Sequence, residues 1–371
     1  MKYQKLILLL LAIGLAPMIR AQAPTSFYEH YTGLISEEVK LTADLVKVKD
    51  GFAGYYYYEF NEEGSWISSK PIALDGYLDD QHQFVLNEFG GQTSFFQGTL
   101  ENTQLITGQW VNKNLKEEVN FTLKATYAPG TIPLQLVEEH ETRTLAGQTY
   151  PQAEFHVALL FPTAQLDPAA YYQLNERIYQ LIGYRGAVDP KKNRIKILEE
   201  AYFQQFESSL AQINTDSFPD QLNWEKSIRM DVINNESSLL CLQIETFAKT
   251  GNREGTQVKK YLVFDLEENK LLQLTDFFSE EKTMEVRQFL DLRLREHYKL
   301  DSLQSLTALG FFNDEIEATR NFYVHPGGIG FYYNVFEIAP FSNGPTDLFI
   351  PWAEIEAFLM EDHPFGAFIH R

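Results

Sequence analysis

The region from about Tyr28 to Tyr127 alternates apolar and polar side chains in short runs that are separated by glycine-bearing turns. A period of two places successive side chains on opposite faces of a strand, and helical spacing is nearly absent here. The runs typical of successive antiparallel strands are GYYYYEF, PIALDGYLDDQHQFVLNEF, TSFFQGTLENTQLITGQW and EVNFTLKATY. We therefore predict an all-β N-terminal module that folds as a meander or a small barrel.

The segment APGTIP, Ala128–Pro133, interrupts this pattern and marks a predicted domain boundary. The chain is also too long for one typical domain of roughly 100–200 residues. We therefore divide it into a signal peptide, a β-rich module and a larger α+β domain, at residues 1–21, 22–130 and 131–371.

Strands and helices mix in the second domain. Asp167, Pro168 and Gly183 predict a helix with an N-cap, a proline at its first position and a terminal glycine. Two more helices are expected at 191–213 and 279–298, with strands at 134–144, 154–161, 224–233, 238–249, 257–266, 330–338 and 347–351. The helix-like run PWAEIEAFLM follows, and the last strands are expected to rejoin the same sheet. This is an α+β arrangement, with helices packed on a mainly antiparallel sheet.

The N-terminal sequence MKYQKLILLLLAIGLAPMIRA has a basic start, an apolar run from Leu6 to Leu15 and a small residue at Ala21. These are the features of a secretory signal peptide. The apolar run has about ten residues, short of the ~20 that span a bilayer, and no later segment approaches that length. We therefore expect an exported, soluble protein, periplasmic or extracellular, with no membrane span.

Acidic residues outnumber basic ones by 51 to 31, which gives a net charge of −20. Loss of Lys2, Lys5 and Arg20 with the signal peptide leaves 28 basic and 51 acidic residues, a net charge of −23. This charge disfavours nucleic acid as a partner and would attract a cationic protein. The alternative is that the acidic surface serves only solubility.

The sequence contains no common catalytic or metal-binding motif. Its eight histidines form no HExxH and no pair at helical ligand spacing, and GGIGF lacks the lysine of a phosphate loop. No catalytic residue, metal or cofactor is therefore predicted. The only cysteine, Cys241, excludes an internal disulfide and is expected to be a small buried strand residue.

The strongest candidates for binding residues are aromatic. The four rings of Tyr55–Tyr58 must point alternately to opposite faces of a strand, so two should line the core and two should not. The outward tyrosines, with Trp66 and Trp110, are candidates to stack on sugar rings or to anchor a protein partner. Ordinary packing of a curved sheet is the alternative interpretation.

Two further candidates come from the segment 322–359. His325, in FYVHPGG, is the histidine to inspect, although a solvated turn residue is the simpler interpretation. The turn between the two last strands offers a candidate binding rim, which consists of Phe341, Ser342 and Asn343.

Three segments of the second domain carry a resemblance to a known family: WEKSIRMDVINNESSLLCLQIETFAKT, YLVFDLEENKLLQLTDFF and FYVHPGGIGFYYNVFEIAPFSNGPTDLFIPWAEI. They resemble the extracytoplasmic domain shared by the lysozyme-sensing anti-sigma factor RsiV and the accessory region of the peptidoglycan deacetylase PdaC. The resemblance covers roughly residues 132–361 and implies an α+β module that binds lysozyme, a cationic protein. A deacetylase catalytic domain, with its Asp and His metal motif, is absent from the sequence.

The sequence therefore favours a non-catalytic binding protein that recognises a cell-envelope glycan or a cationic protein such as lysozyme. The alternative is a glycan- or peptidoglycan-active enzyme, or its accessory subunit. A pocket that joins several carboxylates with His325 would favour the enzyme. A purely structural module of the envelope is the third interpretation.

Overall fold

The computed structural model describes residues 26–36, 38–49, 51–89, 93–145, 149–163, 166–186, 193–211, 213, 219–301 and 304–369. The predicted signal peptide at 1–21 lies outside these residues.

Within the described residues, nine antiparallel strands form the N-terminal module: β1 (Phe27–Ile35), β2 (Val39–Val48), β3 (Gly51–Glu62), β4 (Ser65–Ser68), β5 (Ile72–Leu78), β6 (Gln83–Glu88), β7 (Ser94–Asn102), β8 (Leu105–Asn112) and β9 (Glu117–Ala125). Their order is β2-β1-β9-β8-β7-β6-β5-β3-β4, and β2 also pairs with β3. Eight strands therefore close into a barrel, and β4 lies outside the ring beside β3. The predicted small barrel is confirmed.

The barrel interior is filled by apolar side chains from alternate positions of its strands. The rings of Phe52, Phe84, Phe96 and Phe121 are almost fully buried there. The cavity left among the lining side chains is only about 10 Å³. The barrel is thus a packed core that needs no ligand in its centre.

The second domain continues with β10 (Leu134–Thr144), β11 (Gln152–Pro162), α1 (Pro168–Leu181), α2 (Arg194–Leu210), β12 (Trp224–Glu236), β13 (Leu239–Thr250), β14 (Thr256–Asp265), β15 (Lys270–Leu271), α3 (Glu280–Tyr298), β16 (Phe322–His325), β17 (Gly328–Tyr333), β18 (Thr346–Pro351), α4 (Trp352–Ile355) and α5 (Gly366–Ile369). The first six strands form one sheet in sequence order, antiparallel except between β11 and β12. Helices α1 and α2 pack on one face of it. The predicted α+β class is confirmed.

The segment 322–351 departs from two expectations. It forms a separate three-stranded sheet, β16-β17-β18, and does not rejoin the six-stranded one. The strand predicted at 330–338 ends at Tyr333, because a turn follows in which Asn334 accepts a hydrogen bond from the Glu337 amide. The run PWAEIEAFLM gives only the short α4 and one 3₁₀ turn.

Helix starts follow the capping residues in the sequence. The Asp167 carboxylate accepts from the amides of Ala169 and Ala170 at the start of α1. Ser279 caps α3 in the same way through the Lys282 amide. Helix α3 then buries Val286, Leu290 and Leu294 against the three-stranded sheet.

Cys241 is fully buried on β13, as expected, and burial raises the pKa of its thiol to about 12. No helix of the described residues is long and apolar enough to cross a membrane.

Candidate functional site

The four consecutive tyrosines of β3 connect the barrel to the second domain. Tyr56 points into the barrel, where its hydroxyl donates to Glu88 at 2.6 Å, and Tyr58 on the same side is 37% exposed. Tyr55 and Tyr57 point outward, yet they contact the second domain: their hydroxyls donate to Gln243 and Glu236. The two outward rings are therefore covered by the second domain, because the six-stranded sheet docks on this face of the barrel.

The interface between the barrel and the second domain contains further polar contacts. Asn235 donates to the hydroxyl of Tyr28 at 2.9 Å, and this hydroxyl donates to Asp44 at 2.7 Å. His30 lies 2.9 Å from the same carboxylate and 3.8 Å from Glu236. Burial lowers the pKa of His30, but the nearby carboxylates, Asp44 first among them, together raise it more, so the net direction is upward. The docking of the two domains therefore rests on buried hydrogen bonds as well as on apolar contact.

A cluster of tyrosines lies where the barrel, the six-stranded sheet and the three-stranded sheet meet; we call it the junction. Gln243 is central: its side-chain oxygen accepts from the hydroxyls of Tyr55 and Tyr261, both at 2.9 Å. Its nitrogen lies 3.4 Å from Asp231, which is fully buried and pairs with Arg229 at 3.0 Å. The buried Asp231 carboxylate is thus compensated by Arg229, whose side chain is partly exposed to solvent.

Asp347 is the carboxylate of the junction that is open to solvent. It accepts from the hydroxyl of the buried Tyr323 at 3.0 Å. Although solvent reaches Asp347, the surrounding protein displaces much of its hydration, and this desolvation raises its pKa to about 6. No sequence motif indicated this residue; the signal is purely spatial.

The glycines of GGIGF make the three-stranded sheet possible. A Cβ on Gly330 would lie 2.0 Å from the ring of Tyr323, its cross-strand partner. A Cβ on Gly327 would lie 2.5 Å from the Ser69 carbonyl of the barrel. These glycines therefore allow a buried ring and a neighbouring domain to approach the backbone closely, which is a structural role.

His325 is fully buried at the end of β16, so its interpretation as a solvated turn residue is wrong. Its ring packs edge-on against Tyr57 of the barrel, 4.5 Å between centroids, and its Nδ1 accepts from the Gly327 amide. The position of the barrel against the turn accounts for this burial.

Trp66 and Trp110 are both partly buried and lie on β4 and β8, which are far apart in the strand order. The ammonium of Lys40 lies 3.5 Å from the centroid of the Trp66 ring. Trp110 donates to Glu88 at 2.9 Å. The structure thus does not bring the two tryptophans together, and each has a partner within the barrel.

The turn around Phe341, Ser342 and Asn343 forms a short 3₁₀ segment that exposes 41% of Phe341. Phe336, which sequence reasoning missed, lies beside it with the ring centroids 5.8 Å apart and is 62% exposed. Its φ is +66°, a left-handed conformation that glycine or asparagine usually occupies. A bulky residue held there costs on the order of 1–3 kcal/mol.

A third exposed ring, Phe312, belongs to the same surface, because its amide donates to the Ile338 carbonyl between the other two. We call Phe312, Phe336 and Phe341 the aromatic rim. Glu337 within it and Asp314 beside Phe312 are exposed carboxylates. The rim thus combines apolar area with negative charge.

No three His, Cys, Asp or Glu side chains of the described residues converge on a point that would hold a metal ion.

Residues 263–353 match the model of the DUF3298 family, described as a protein of unknown function. This stretch includes α3, the three-stranded sheet and the aromatic rim. No functionally curated protein matches the chain.

Two solved structures of the DUF3298 family are similar. One, from Bacteroides fragilis, has a TM-score of 0.57 and 24% identity, and the match covers 65% of this chain and 98% of that one. The other, from Pseudomonas aeruginosa, has a TM-score of 0.46 and 15% identity, with 62% and 95% covered. The likeness to the first is one of fold.

Proposed function

We propose that the protein acts outside the cytoplasm as a non-catalytic binding protein that recognises a cationic protein through the aromatic rim. The observation that carries this proposal is Phe336. Its ring is mostly in solvent while its backbone is strained, so folding gains little from it. Contact with a partner would give the ring the burial that it lacks in the free protein.

Charge supports a cationic partner. The chain carries a net charge of −20, and exposed carboxylates flank the rim at Asp314 and Glu337. A field of this sign raises the encounter rate with a basic protein, while buried rings set how long the complex lasts. The resemblance of the second domain to the RsiV-like extracytoplasmic family supports lysozyme as the protein to test first.

The test is surface plasmon resonance of the full chain against a lysozyme at several salt concentrations. We expect binding at micromolar concentration or tighter, with an association rate that falls as salt is added. Phe336→Ala and Phe341→Ala should each weaken binding about tenfold, mostly through faster dissociation. Phe89→Ala is the matched control, because Phe89 is 81% exposed and directly follows β6 of the barrel, in a different module from the rim.

Three outcomes would contradict the proposal. Absence of binding at micromolar concentration and low salt excludes lysozyme as the ligand. Binding that vanishes with modest salt and ignores both rim variants indicates charge attraction alone. Equal losses for Phe89→Ala and the rim variants mean that the rim is not the contact.

A glycan-active protein is the second candidate, and Asp347 is the observation that favours it. A carboxyl group with a pKa near 6 at a solvent-accessible junction resembles a general acid more than a structural carboxylate. His325, however, contacts Tyr57 rather than this carboxylate. Soluble peptidoglycan fragments in place of lysozyme, with Asp347→Asn as the variant, distinguish this candidate from the first.

A further inference from the structure

His30 lies where the barrel meets the second domain. It stands on β1, directly opposite Asp44 of β2, and only 1% of it is exposed. Its Nδ1 lies 2.9 Å from a carboxylate oxygen of Asp44, and its Nε2 lies 3.8 Å from a carboxylate oxygen of Glu236 on β12. One imidazole ring thus has a carboxylate of the barrel at one nitrogen and a carboxylate of the second domain at the other.

Tyrosine hydroxyls hold both carboxylates in place. The Tyr28 hydroxyl donates to Asp44 at 2.7 Å and accepts from the Asn235 side chain of the second domain at 2.9 Å. The Tyr57 hydroxyl, which belongs to the barrel, donates to Glu236 of the second domain. A rotation of either carboxylate away from the imidazole would strain or break its bond to a tyrosine. The docking of the two domains therefore sets the spacing around the ring.

The charge on the imidazole decides whether the ring links the two carboxylates. A distance of 3.8 Å from Nε2 to Glu236 is too long for a hydrogen bond but short enough for an ion pair, so this contact depends on positive charge. A neutral imidazole has one N–H, whereas the imidazolium has two and carries the charge. Loss of the proton leaves two carboxylates, with side chains only 6% and 18% exposed, beside an uncharged ring, which is costly.

Two further titratable groups face His30 from the barrel. Glu29 on β1 adds negative charge, and the Tyr127 ring, which follows β9, has its centroid 6.2 Å from that of the imidazole. The Tyr127 hydroxyl donates to Glu29 at 3.0 Å. Burial lowers the pKa of His30, but Asp44, Glu236 and Glu29 together raise it more, so the pKa lies above its ordinary value of 6.5. The ring therefore keeps its proton to a higher pH than an exposed histidine does.

From this geometry we propose that His30 is a proton-dependent latch between the two domains. The charged imidazole joins Asp44 of the barrel to Glu236 of the second domain, and its deprotonation removes this link. The latch is separate from the aromatic rim and does not depend on the ligand proposed above.

The direction of the pH dependence follows from the two states of the chain. The unfolded chain binds the His30 proton with the ordinary pKa of 6.5, and the folded protein binds it more tightly. The stabilisation by the latch is therefore complete below pH 6.5 and is lost as the pH rises through the pKa of the folded protein.

The direct test is proton NMR of the histidine rings of the full chain from pH 5 to pH 9, with the His30 signal assigned by its absence from His30→Gln. We expect this ring to titrate above pH 6.5 in the wild type and at a lower pH in Glu236→Gln. That variant removes the negative charge of the second domain but keeps an oxygen that can accept from Tyr57. His140, whose side chain is 42% exposed on β10, is the internal reference and should titrate alike in both proteins.

Urea unfolding at pH 6 and pH 9 provides a second measurement. His30→Gln should lower the midpoint urea concentration more at pH 6 than at pH 9, because the wild type has its latch only at the lower pH. This pH dependence should be smaller when the substitution is made in the Glu236→Gln background, since one of the two linked carboxylates is then absent. Glu63→Gln is the matched control in both experiments, because Glu63 is exposed in the turn between β3 and β4.

Any of four results would overturn the proposal. A wild-type His30 ring that titrates at or below pH 6.5 has no stabilised charge. A titration that Glu236→Gln leaves unchanged means that the second domain does not hold the proton. An equal shift in Glu63→Gln assigns the effect to net charge. An equal loss of stability in His30→Gln at both pH values assigns the ring to packing alone.

Discussion

The junction and the aromatic rim use the same kind of side chain in opposite ways, although both draw on the segment 322–343. At the junction, Tyr323 is only 4% exposed, and Gly330 opposite it leaves room for the ring. At the rim, Phe336 and Phe341 are 62% and 41% exposed, and the backbone of Phe336 is strained to hold its ring there. Burial explains the Tyr323 ring through stability alone. The left-handed backbone of Phe336 lowers stability, and the contact with a partner proposed above would offset this cost.

The largest effect expected from this difference is at Gly330. In Gly330→Ala the new methyl group would lie 2.0 Å from the Tyr323 ring, which has no free space to move into. We expect a loss of about 3 kcal/mol in the free energy of unfolding, measured with urea, as for an overpacked core. Gly366→Ala is the control, since a Cβ there meets nothing within 4 Å. A change below about 0.5 kcal/mol at Gly330 would mean that the junction is loosely packed.

The next effect depends on pH and concerns Asp347. The folded protein holds a proton on this carboxyl up to a pKa of about 6, whereas the unfolded chain releases it near 3.8. Between these values the folded state binds more protons, so wild-type stability falls as pH rises. Asp347→Asn carries no ionisable group at this position and does not lose this stability. Its free energy of unfolding should therefore rise relative to that of the wild type as pH increases across that window, by on the order of 1 kcal/mol after allowance for solvent screening.

Urea unfolding at pH 4, 5, 6 and 7 measures this gain, with Asp75→Asn, an exposed barrel residue, as the control for loss of one charge. A difference between the Asp347→Asn variant and the wild type that stays constant over this range would mean that the junction leaves the carboxyl fully hydrated.

The smallest expected effect is an increase in stability, and it concerns the aromatic rim. Asparagine tolerates the left-handed conformation better than phenylalanine, so Phe336→Asn should raise the free energy of unfolding by about 0.5–1 kcal/mol. Phe341→Asn, at a position without positive φ, should not. A loss of stability in Phe336→Asn would show that the ring contributes to folding, and the contrast between rim and junction would disappear.

Local signals in the sequence predicted the parts of the fold that local physics decides. Asp167 was predicted as an N-cap because its short side chain can accept hydrogen bonds from the first amides of the helix, and the structure shows these bonds. The alternating strands of the barrel follow in the same way from their period of two. The end of β17 was misplaced because the apolar letters continue to Ile338, while the backbone turns at Asn334.

The parts of the fold and of the candidate site that local signals did not predict depend on contacts between distant segments. Tyr55, Tyr57 and His325 owe their burial to the docking of two domains, which no window of sequence reveals. Phe341 was identified from its turn-rich surroundings. Phe336 was not, because phenylalanine is a residue that turn statistics exclude from a left-handed position. The residue that violates a local rule is also the one that best marks the candidate surface.

The closure of the barrel has a consequence for the order in which the chain can fold. Its last ladder pairs β9 with β1, with Ala125 opposite Tyr31, so nearly the whole module lies between the partners. Neighbouring hairpins can form early, but this pairing brings together ends that are far apart in sequence, which slows the rate-limiting search. Until it forms, β1 and β9 are both open edges on which another chain can add. Since these two edges pair with each other, closure of the barrel removes both hazards in a single step.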